Sequence, residues 1–335
     1  MKRLNIALIG AGAMGWRWAQ AIHAFRGGRL AAVVDIARER AQNAAARFGA
    51  VPFAGIEELL EDKKAAVDAA VIAVPHDALS SLARNSLAAG FHVLLEKPGG
   101  RTARELAAAV ALARRKKCVL MMGYNYRYFS GILAAKKMVD SGKIGIPIFV
   151  RARHGFGGRK GYEATWRHDK KISGGGHLID QGVHLIDLSR WFLGDSMRAR
   201  GLTARSFWKS DVEDNACVII RHKNGGLSSL HISLTQWDPL FSFEVYGTSG
   251  YVKVEGLGRK YGGSERVIAA SRTDDFAVRK ERIIECDPDA DKALVRELEE
   301  FAAAIRGRRA PRPSGEDGLA TLRIVESVYR ENKNI

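Results

Sequence analysis

Two short segments carry residue types that can move protons. Glu96-Lys97-Pro98 follows an apolar run, and a later apolar stretch carries Asp180 and His184, four residues apart. On a helix, positions four apart lie on the same face. Lysine, carboxylate and imidazole side chains can each take or give a hydroxyl proton when they are suitably placed. We therefore take Lys97, Asp180 and His184 as the candidate catalytic residues.

Residues 177–192 predict one helix, which follows three glycines at 174–176. Its other positions are mostly apolar, so the helix should be buried, and a polar stripe on it must meet partners or line a cavity. The glycines would let a cofactor or substrate approach the start of the helix. The residues that share the polar face are His177, Asp180, Gln181, His184 and Leu188.

Three interpretations of this face remain open. It is a hydrogen-bonded ladder between core helices, a metal site formed by His177, Asp180 and His184, or an acid/base site that works with Lys97. A signature such as HExxH is missing from the segment, so we expect no metal.

The N-terminal segment predicts a dinucleotide site. An apolar run at residues 4–9 leads directly into a GxGxxG turn, and a second apolar run ends at Asp35. Glycines of this pattern allow a tight turn, approach of a pyrophosphate and close helix packing, and the acid binds the ribose hydroxyls of NAD. Arg38 and Arg40 lie nearby, so NADP is the alternative cofactor, but Asp35 favours NAD. The predicted turn contacts are Gly10, Gly12, Ala13, Met14 and Gly15.

The first 123 residues alternate strand and helix, which indicates a doubly wound parallel sheet. In such sheets ligands bind beyond the carboxyl ends of the strands, where Val74-Pro75-His76 and Glu96-Lys97 both lie. A capping box at Thr102 and Glu105 fixes the start of one helix. The predicted strands are 4–9, 30–34, 69–74, 92–95 and 119–122.

From residue 124 to 335 the pattern changes to that of an α+β domain. Short strands joined by glycine-containing turns indicate a large, mostly antiparallel open sheet, with helices on one face. Two amphipathic helices, 290–305 and 316–331, should close the chain. The predicted strands are 146–153, 198–207, 216–221, 227–234, 241–246 and 251–255.

Composition limits the other possibilities. The chain has 335 residues, a net charge of +16 and three widely spaced cysteines, which suit two domains in a reducing cytoplasm. The basic runs at 114–117 and 306–309 fall near predicted helix ends and lack a nucleic-acid motif, so we expect no nucleic-acid partner. No apolar run is long enough to span a membrane.

Together, these motifs make the chain resemble the Gfo/Idh/MocA oxidoreductases, the family of glucose–fructose oxidoreductase and inositol dehydrogenase. The resemblance extends over nearly the whole chain: the GAGAMG turn, the EKP segment, Asn125-Tyr126-Arg127 and the GGGHLIDQGVHLID segment. It implies an N-terminal Rossmann domain and a C-terminal α/β domain that often forms dimers or tetramers.

The resemblance also assigns roles to individual residues. Lys97 is similar to the lysine that hydrogen-bonds the reacting hydroxyl, Asp180 to the acid that orients substrate, and His184 to the catalytic acid/base. Tyr126 stands where many members carry an arginine. The further contacts implied for substrate are Asn125, Arg127 and Gln181, and those for cofactor are Val74, Pro75, His76, Glu96, Lys97, Trp166 and Arg167.

We therefore predict an NAD-dependent dehydrogenase that acts on a secondary alcohol of a sugar, cyclitol or nucleotide-linked sugar. Two alternatives stay open: a non-catalytic NAD-sensing protein, and an enzyme that oxidises transiently and recycles its cofactor during elimination or glycoside cleavage. The basic stretch from residue 151 to 171 favours a substrate that bears a phosphate or carboxylate.

Overall fold

The computed structural model describes residues 3–62, 64–287 and 289–332. These residues form two compact units. The first contains the chain up to Tyr124 together with Leu294–Ala320, and the second contains Asn125–Ala293 together with the chain from Thr321 onward. The predicted boundary between residues 123 and 124 lies beside this division, but residues 294–320 belong to the first unit and not to the second.

A six-stranded parallel sheet forms the centre of the first unit, in the order β3-β2-β1-β4-β5-β6. The order reverses between β1 and β4, the place where such sheets bind ligands. The predicted doubly wound sheet is confirmed, although β3 was not predicted because it has only three residues, one of them Pro52. The strands are β1 (Leu4–Ile9), β2 (Gly28–Val34), β3 (Val51–Phe53), β4 (Ala69–Ile72), β5 (His92–Glu96) and β6 (Leu120–Gly123).

Five helices connect these strands. The predicted capping box is present at the start of the fifth, where the Thr102 hydroxyl accepts from the Glu105 backbone N–H at 3.2 Å. The Glu105 carboxylate in turn accepts from the backbone N–H of Arg101, the residue before the N-cap, at 2.8 Å, so one free N–H of the helix start is satisfied and the segment that leads into the helix is held. The helices are α1 (Ala13–Ala24), α2 (Arg38–Phe48), α3 (Ile56–Glu61), α4 (His76–Ala88) and α5 (Ala103–Lys116).

An eight-stranded sheet forms the second unit, in the order β14-β13-β12-β11-β7-β10-β9-β8. Its neighbouring strands, over the described residues, run antiparallel except β7 and β10, which are parallel. The mostly antiparallel sheet is confirmed; β13 and β14 were missed. The strands are β7 (Pro147–Gly155), β8 (Ser196–Ala204), β9 (Asn215–His222), β10 (Leu227–Ser233), β11 (Leu240–Gly247), β12 (Gly250–Leu257), β13 (Tyr261–Ser271) and β14 (Arg282–Cys286).

Helices cover one face of this sheet: α6 packs on β12 and β13, and α8 packs on β7 and β10. On β9 the burial alternates, with Val218 inside and Ile219 half exposed, which is the pattern of a sheet with one open face. The remaining helices of the chain, with these two, are α6 (Ser130–Asp140), α7 (Lys170–Ser173), α8 (Val183–Leu193), α9 (Ala290–Gly307) and α10 (Gly315–Glu331).

The start of α10 packs inside the first unit, and this contact explains why residues 294–320 belong there. A Cβ at Gly318 would lie 2.8 Å from the Met122 sulphur, and one at Gly315 would lie 2.9 Å from Val110. The Met122 backbone N–H also donates to the Pro313 carbonyl at 3.1 Å. The sequence-based division missed this return because amphipathicity shows that a helix has a buried face, not which sheet it covers.

The helix predicted for residues 177–192 is present as one continuous helical run, but part of it is wound more widely than an α-helix. Leu178–Gly182 forms a wide π-helical turn, and α8 begins only at Val183. A side chain at Gly182 would not fit without a shift, because a Cβ there would lie 2.8 Å from Leu178 and 3.2 Å from Ile232 on β10. Such wide turns are frequent at functional sites.

No helix within the described residues is both long and apolar enough to cross a bilayer.

Candidate functional site

The glycine turn after β1 has the shape that a dinucleotide needs. Gly10 has φ +95°, and a Cβ there would lie 2.3 Å from the Ala73 carbonyl; one at Gly15 would lie 1.9 Å from the Gly10 carbonyl. These two glycines are therefore required by the protein's own backbone. A Cβ at Gly12, by contrast, would meet nothing within 4 Å. Gly12 also caps α1 without a side chain, so a phosphate can approach the first N–H groups of Ala13 and Met14.

Asp35 lies beyond the end of β2 and is tied to this turn. Its Oδ2 accepts from the Ala11 N–H at 2.7 Å and its Oδ1 from the Ala37 N–H at 2.8 Å. Each carboxylate oxygen has a further lone pair. The acid is thus fixed beside the turn and can still accept from ribose hydroxyls, as the predicted fingerprint requires.

The segment after β4 lies against the same turn. Val74 Cγ1 would be 2.8 Å from a Cβ at Gly10, and Pro75 caps α4, which begins at His76. The His76 side chain is buried. The structure therefore brings the predicted contacts at 74–76 next to the glycine turn.

Glu96, a predicted cofactor contact, is hydrogen-bonded within the first unit. Its carboxylate is buried and accepts from the Trp18 indole N–H of α1 at 2.8 Å. Burial raises the pKa of this carboxyl, although the charge of Lys97 opposes the shift. Glu96 thereby joins α1 to β5 and fixes the backbone from which Lys97 projects, and the Lys97–Pro98 peptide bond is cis.

In the second unit, His184 lies at the start of α8 and is stacked on Tyr126. The two rings are parallel within 8°, with centroids 3.9 Å apart. The Tyr126 hydroxyl is 3.0 Å from His154 Nε2 on β7 and donates to Gln181 Oε1 at 3.4 Å. Gln181 and His184 therefore meet around one tyrosine, despite the wide turn between them.

Asp180 is buried beside Gln181, whose amide donates to it at 3.0 Å. Arg167 Nε is 3.4 Å from the same carboxylate, and the Arg167 guanidinium stacks on Trp166 at 4.5 Å. The predicted pair Trp166 and Arg167 thus lies next to a predicted substrate residue, with Arg167 as its counter-ion.

The charge of Asp180 acts on three tyrosines. Burial, reinforced by the Asp180 charge, raises the pKa of Tyr162 to about 12 and raises the pKa of Tyr261 and of Tyr126. All three therefore remain neutral O–H donors near neutral pH. A hydroxylated ligand here meets both hydrogen-bond donors and an acceptor.

The glycines at 174–176 do not have the predicted purpose. A Cβ at Gly175 would lie 2.2 Å from the Tyr329 hydroxyl, and one at Gly176 would lie 1.9 Å from the Glu213 carbonyl. The Glu213 carboxylate accepts from the N–H groups of Gly176 and Leu178 and from Tyr329. Close packing of the protein on itself, not approach of a ligand, requires two of these glycines.

Asn125 and Arg127, which flank Tyr126 in the sequence, have different surroundings in the structure. Arg127 forms a buried bidentate pair with Asp187, at 2.7 and 2.6 Å, and lies over Trp191 at 5.2 Å. Its contact with substrate stays a prediction. The Asn125 amide oxygen is buried and has no hydrogen-bond partner within the described residues. Asn125 therefore stays a predicted substrate contact whose amide oxygen can accept a hydrogen bond.

The described part of the chain contains no group of three His, Cys, Asp or Glu side chains arranged to hold a metal ion. The metal interpretation of His177, Asp180 and His184 therefore finds no geometric basis.

Sequence reasoning missed several contributors to this site, and they come from distant elements. Tyr126 was singled out only as an exception to the family pattern, whereas His154, Tyr261 and Glu213 were not singled out at all. The alternating pattern of β7 could have placed His154 on the buried face of that strand. The pattern does not reveal that His154 contacts Tyr126.

Two models of one protein family match the chain. The "Oxidoreductase family, NAD-binding Rossmann fold" model matches residues 4–124, and the "GFO/IDH/MocA C-terminal domain" model matches residues 132–253. The chain belongs to the Gfo/Idh/MocA oxidoreductase family, and its first unit carries the family's NAD-binding Rossmann fold. The predicted family, fold class, NAD cofactor and oxidoreductase activity are confirmed.

Curated relatives match along most of their length. D-apiose dehydrogenase of Paraburkholderia graminis is 28% identical over 354 aligned residues, which cover 100% of this chain and 90% of the relative. The dTDP-3,4-didehydro-2,6-dideoxy-alpha-D-glucose 3-reductase of Streptomyces violaceoruber is 28% identical over 303, which cover 89% and 85%. A structure of levoglucosan dehydrogenase with NADH has the same fold, with TM-score 0.89, 24% identity and coverage of 99% and 98%.

Proposed function

We propose that this protein is an NAD-dependent dehydrogenase that oxidises a secondary alcohol of a sugar, cyclitol or nucleotide-linked sugar. The observation that carries the proposal is the surroundings of Asp180 and His184. Both are buried, one beside an arginine and an amide and the other stacked on a tyrosine. The names of the curated relatives, two of which act on sugars or sugar nucleotides, support this substrate class.

In this proposal the chain's residues orient the alcohol and move its proton. Asp180 accepts a hydrogen bond from a substrate hydroxyl and so fixes the ring. Lys97 hydrogen-bonds the reacting hydroxyl, and Lys97 and His184 share removal of its single proton, which ends on one of these two nitrogens. NAD, when bound, supplies the hydride acceptor. Gln181 and Asn125 offer further hydrogen bonds to substrate hydroxyls.

We propose NAD rather than NADP as the cofactor. Asp35 is anchored by the N–H groups of Ala11 and Ala37, so its negative charge cannot swing away from the ribose position. A fixed carboxylate there accepts from the 2′-hydroxyl and repels a 2′-phosphate. Tighter binding of NADPH than of NADH would contradict this choice.

The first test is NADH formation, followed by absorbance, against inositols, free sugars, sugar acids, sugar phosphates and nucleotide sugars. Turnover of one class with release of NADH supports the proposal. Tight NADH binding without turnover of any compound supports a sensing protein, and consumption of substrate without net NADH supports the cofactor-recycling alternative. A preference for the acids or phosphates would support the charge argument for residues 151–171.

Lys97→Ala tests the role of the lysine. It should nearly abolish turnover and change NADH affinity far less, because the glycine turn and Asp35 are untouched. Lys116→Ala, at the exposed end of α5, is the matched control and should retain full activity. An unchanged kcat in Lys97→Ala would refute the assignment.

We also propose that the protein forms a homo-dimer or tetramer through the open face of the second sheet. Leu202 and Ile219 are 68% and 49% exposed on neighbouring strands of this face, and Phe149 lies next to Tyr246, with centroids 6.2 Å apart. Exposed apolar side chains in such a group mark association surfaces. Ile219→Glu should dissociate the assembly in sedimentation experiments; an unchanged mass would contradict this surface.

A cytoplasmic location is proposed from cysteine usage. Cys118, Cys217 and Cys286 are free thiols in the structure, as is usual for proteins of reducing compartments. Fractionation of the producing cells tests it, and recovery outside the cytoplasm would contradict it.

A further inference from the structure

The stack between Tyr126 and His184 is the closest contact between aromatic rings in the site. The centroids are 3.9 Å apart and the planes differ by 8°. A parallel stack at this distance restricts rotation of the imidazole about its terminal torsion, because any tilt brings the two rings into collision. The orientation of His184 is therefore coupled to the position of the Tyr126 ring.

The Tyr126 ring is itself held from several directions. Phe129 and Phe241 each contact it edge-on, with centroids 5.8 Å away and planes at 83°. At the other end its hydroxyl lies 3.0 Å from His154 Nε2 and donates to Gln181. Only 6% of the residue is exposed. A ring that is packed at its edges and hydrogen-bonded at its tip has one available orientation.

The electrostatics of the stack favour one protonation state of the imidazole. The face of an aromatic ring is negative and attracts a cation placed over it. Burial raises the pKa of the Tyr126 phenol, with Tyr261 and Asp180 reinforcing the shift, so the ring remains a neutral phenol across the pH range in which an imidazole ordinarily titrates. Within the described residues, the titratable and charged groups around the stack include Asp180, His154, His177, Tyr162, Tyr261 and Arg167.

We propose that Tyr126 is a positioning residue that fixes the plane of the His184 imidazole and stabilises its protonated form. The inference rests on the proposed role of His184 as the acid/base. The ring and the hydroxyl of Tyr126 have different functions: the ring stacks on His184, and the hydroxyl anchors the ring to β7 and to the wide turn.

The experiment is an NMR titration of the full-length protein carrying ¹³C-labelled histidine, with the His184 signal identified by its loss in His184→Asn. In Tyr126→Leu the titration midpoint of His184 should fall by about 0.5 to 1 pH unit, and the acidic limb of the kcat profile should move with it. Tyr126→Phe retains the stack, so its midpoint should stay close to that of the wild type, with a smaller loss of kcat.

Phe192→Leu is the matched control, because it truncates a buried ring on the same helix that packs on Phe243 and lies about two turns from His184. It should lower stability and leave both the midpoint and the kcat profile in place. If Tyr126→Leu does not fold, Tyr126→Met takes its place. An unshifted midpoint in the aliphatic variant, or an equal shift in Tyr126→Phe, would overturn the inference.

The titration does not depend on turnover, so the two proposals fail in different ways. If His184→Asn retains full activity, the role of His184 is wrong. If His184→Asn is inactive and the Tyr126 variants match the wild type in both midpoint and kcat, only the positioning role is wrong.

Discussion

Replacing Gly12 with alanine should separate cofactor binding from folding. Gly12 has φ −71° and ψ −168°, an extended conformation that alanine adopts without strain. The added Cβ would meet no protein atom within 4 Å. The weaker N-cap and the reduced entropy of the unfolded chain nearly cancel, so the free energy of unfolding should change by less than about 1 kcal/mol.

Cofactor binding should respond much more strongly. The open space at Gly12 is where the fingerprint places the pyrophosphate, so the new methyl occupies room that the ligand needs. Overpacking of one such group costs about 1–3 kcal/mol, which corresponds to an affinity loss of roughly 5- to 150-fold. NADH fluorescence titration measures this loss, and urea unfolding of the apoprotein measures stability.

Gly15→Ala is the opposite control in the same turn. Its Cβ would lie 1.9 Å from the Gly10 carbonyl, so the apoprotein itself should lose about 1–3 kcal/mol of stability. Wild-type NADH affinity in Gly12→Ala, or a large loss of its stability, would refute the distinction between a ligand-facing glycine and a packing glycine.

Three further outcomes are expected. Gly176→Ala places a Cβ against the Glu213 carbonyl, so it should lower kcat and cost about 1–3 kcal/mol of stability, while NADH titration shows unchanged affinity. Glu96→Gln keeps an acceptor for Trp18 and removes a buried acid whose pKa is raised. In the wild type, the free energy of unfolding should fall as the pH rises from the pKa of Glu96 in the unfolded chain through its pKa in the folded protein. Urea unfolding between pH 5 and 8 should show a shallower fall in the variant. Asp35→Ser should shift the ratio of NADPH to NADH affinity at least about tenfold toward NADPH, measured by paired titrations, with some loss of stability because two backbone N–H groups lose their acceptor.

The sequence predicts the first half of the fold well because its signals there are local. A glycine turn between an apolar run and an alanine-rich stretch, and a capping box at Thr102 and Glu105, act over a few residues. The elements missed have weak local signals: β3 contains Pro52, β13 begins with two glycines after Tyr261, and β14 is an edge strand with exposed charges. Their strand conformation depends on the neighbour with which they pair.

The site residues that lie in one sequence segment could be predicted, whereas their contacts with residues distant in sequence could not. Asp180, Gln181 and His184 lie within four residues of one another, so helical periodicity groups them. In the structure, contacts with Tyr126 keep Gln181 and His184 together across the wide turn. The counter-ion Arg167, the anchor His154 and the packing residues at Gly175 and Gly176 depend on how strands and loops assemble. A periodic pattern carries no information about such contacts.

The return of residues 294–320 to the first unit has a consequence for how the protein is made. On the ribosome, the parallel sheet emerges early, but the helical segment that covers part of it is translated only after the whole second sheet. The surface around Met122 and Leu106, which α10 finally covers, is exposed throughout that interval. We therefore expect a chain stopped before residue 294 to engage chaperones or to be degraded, although it carries every element of the glycine turn.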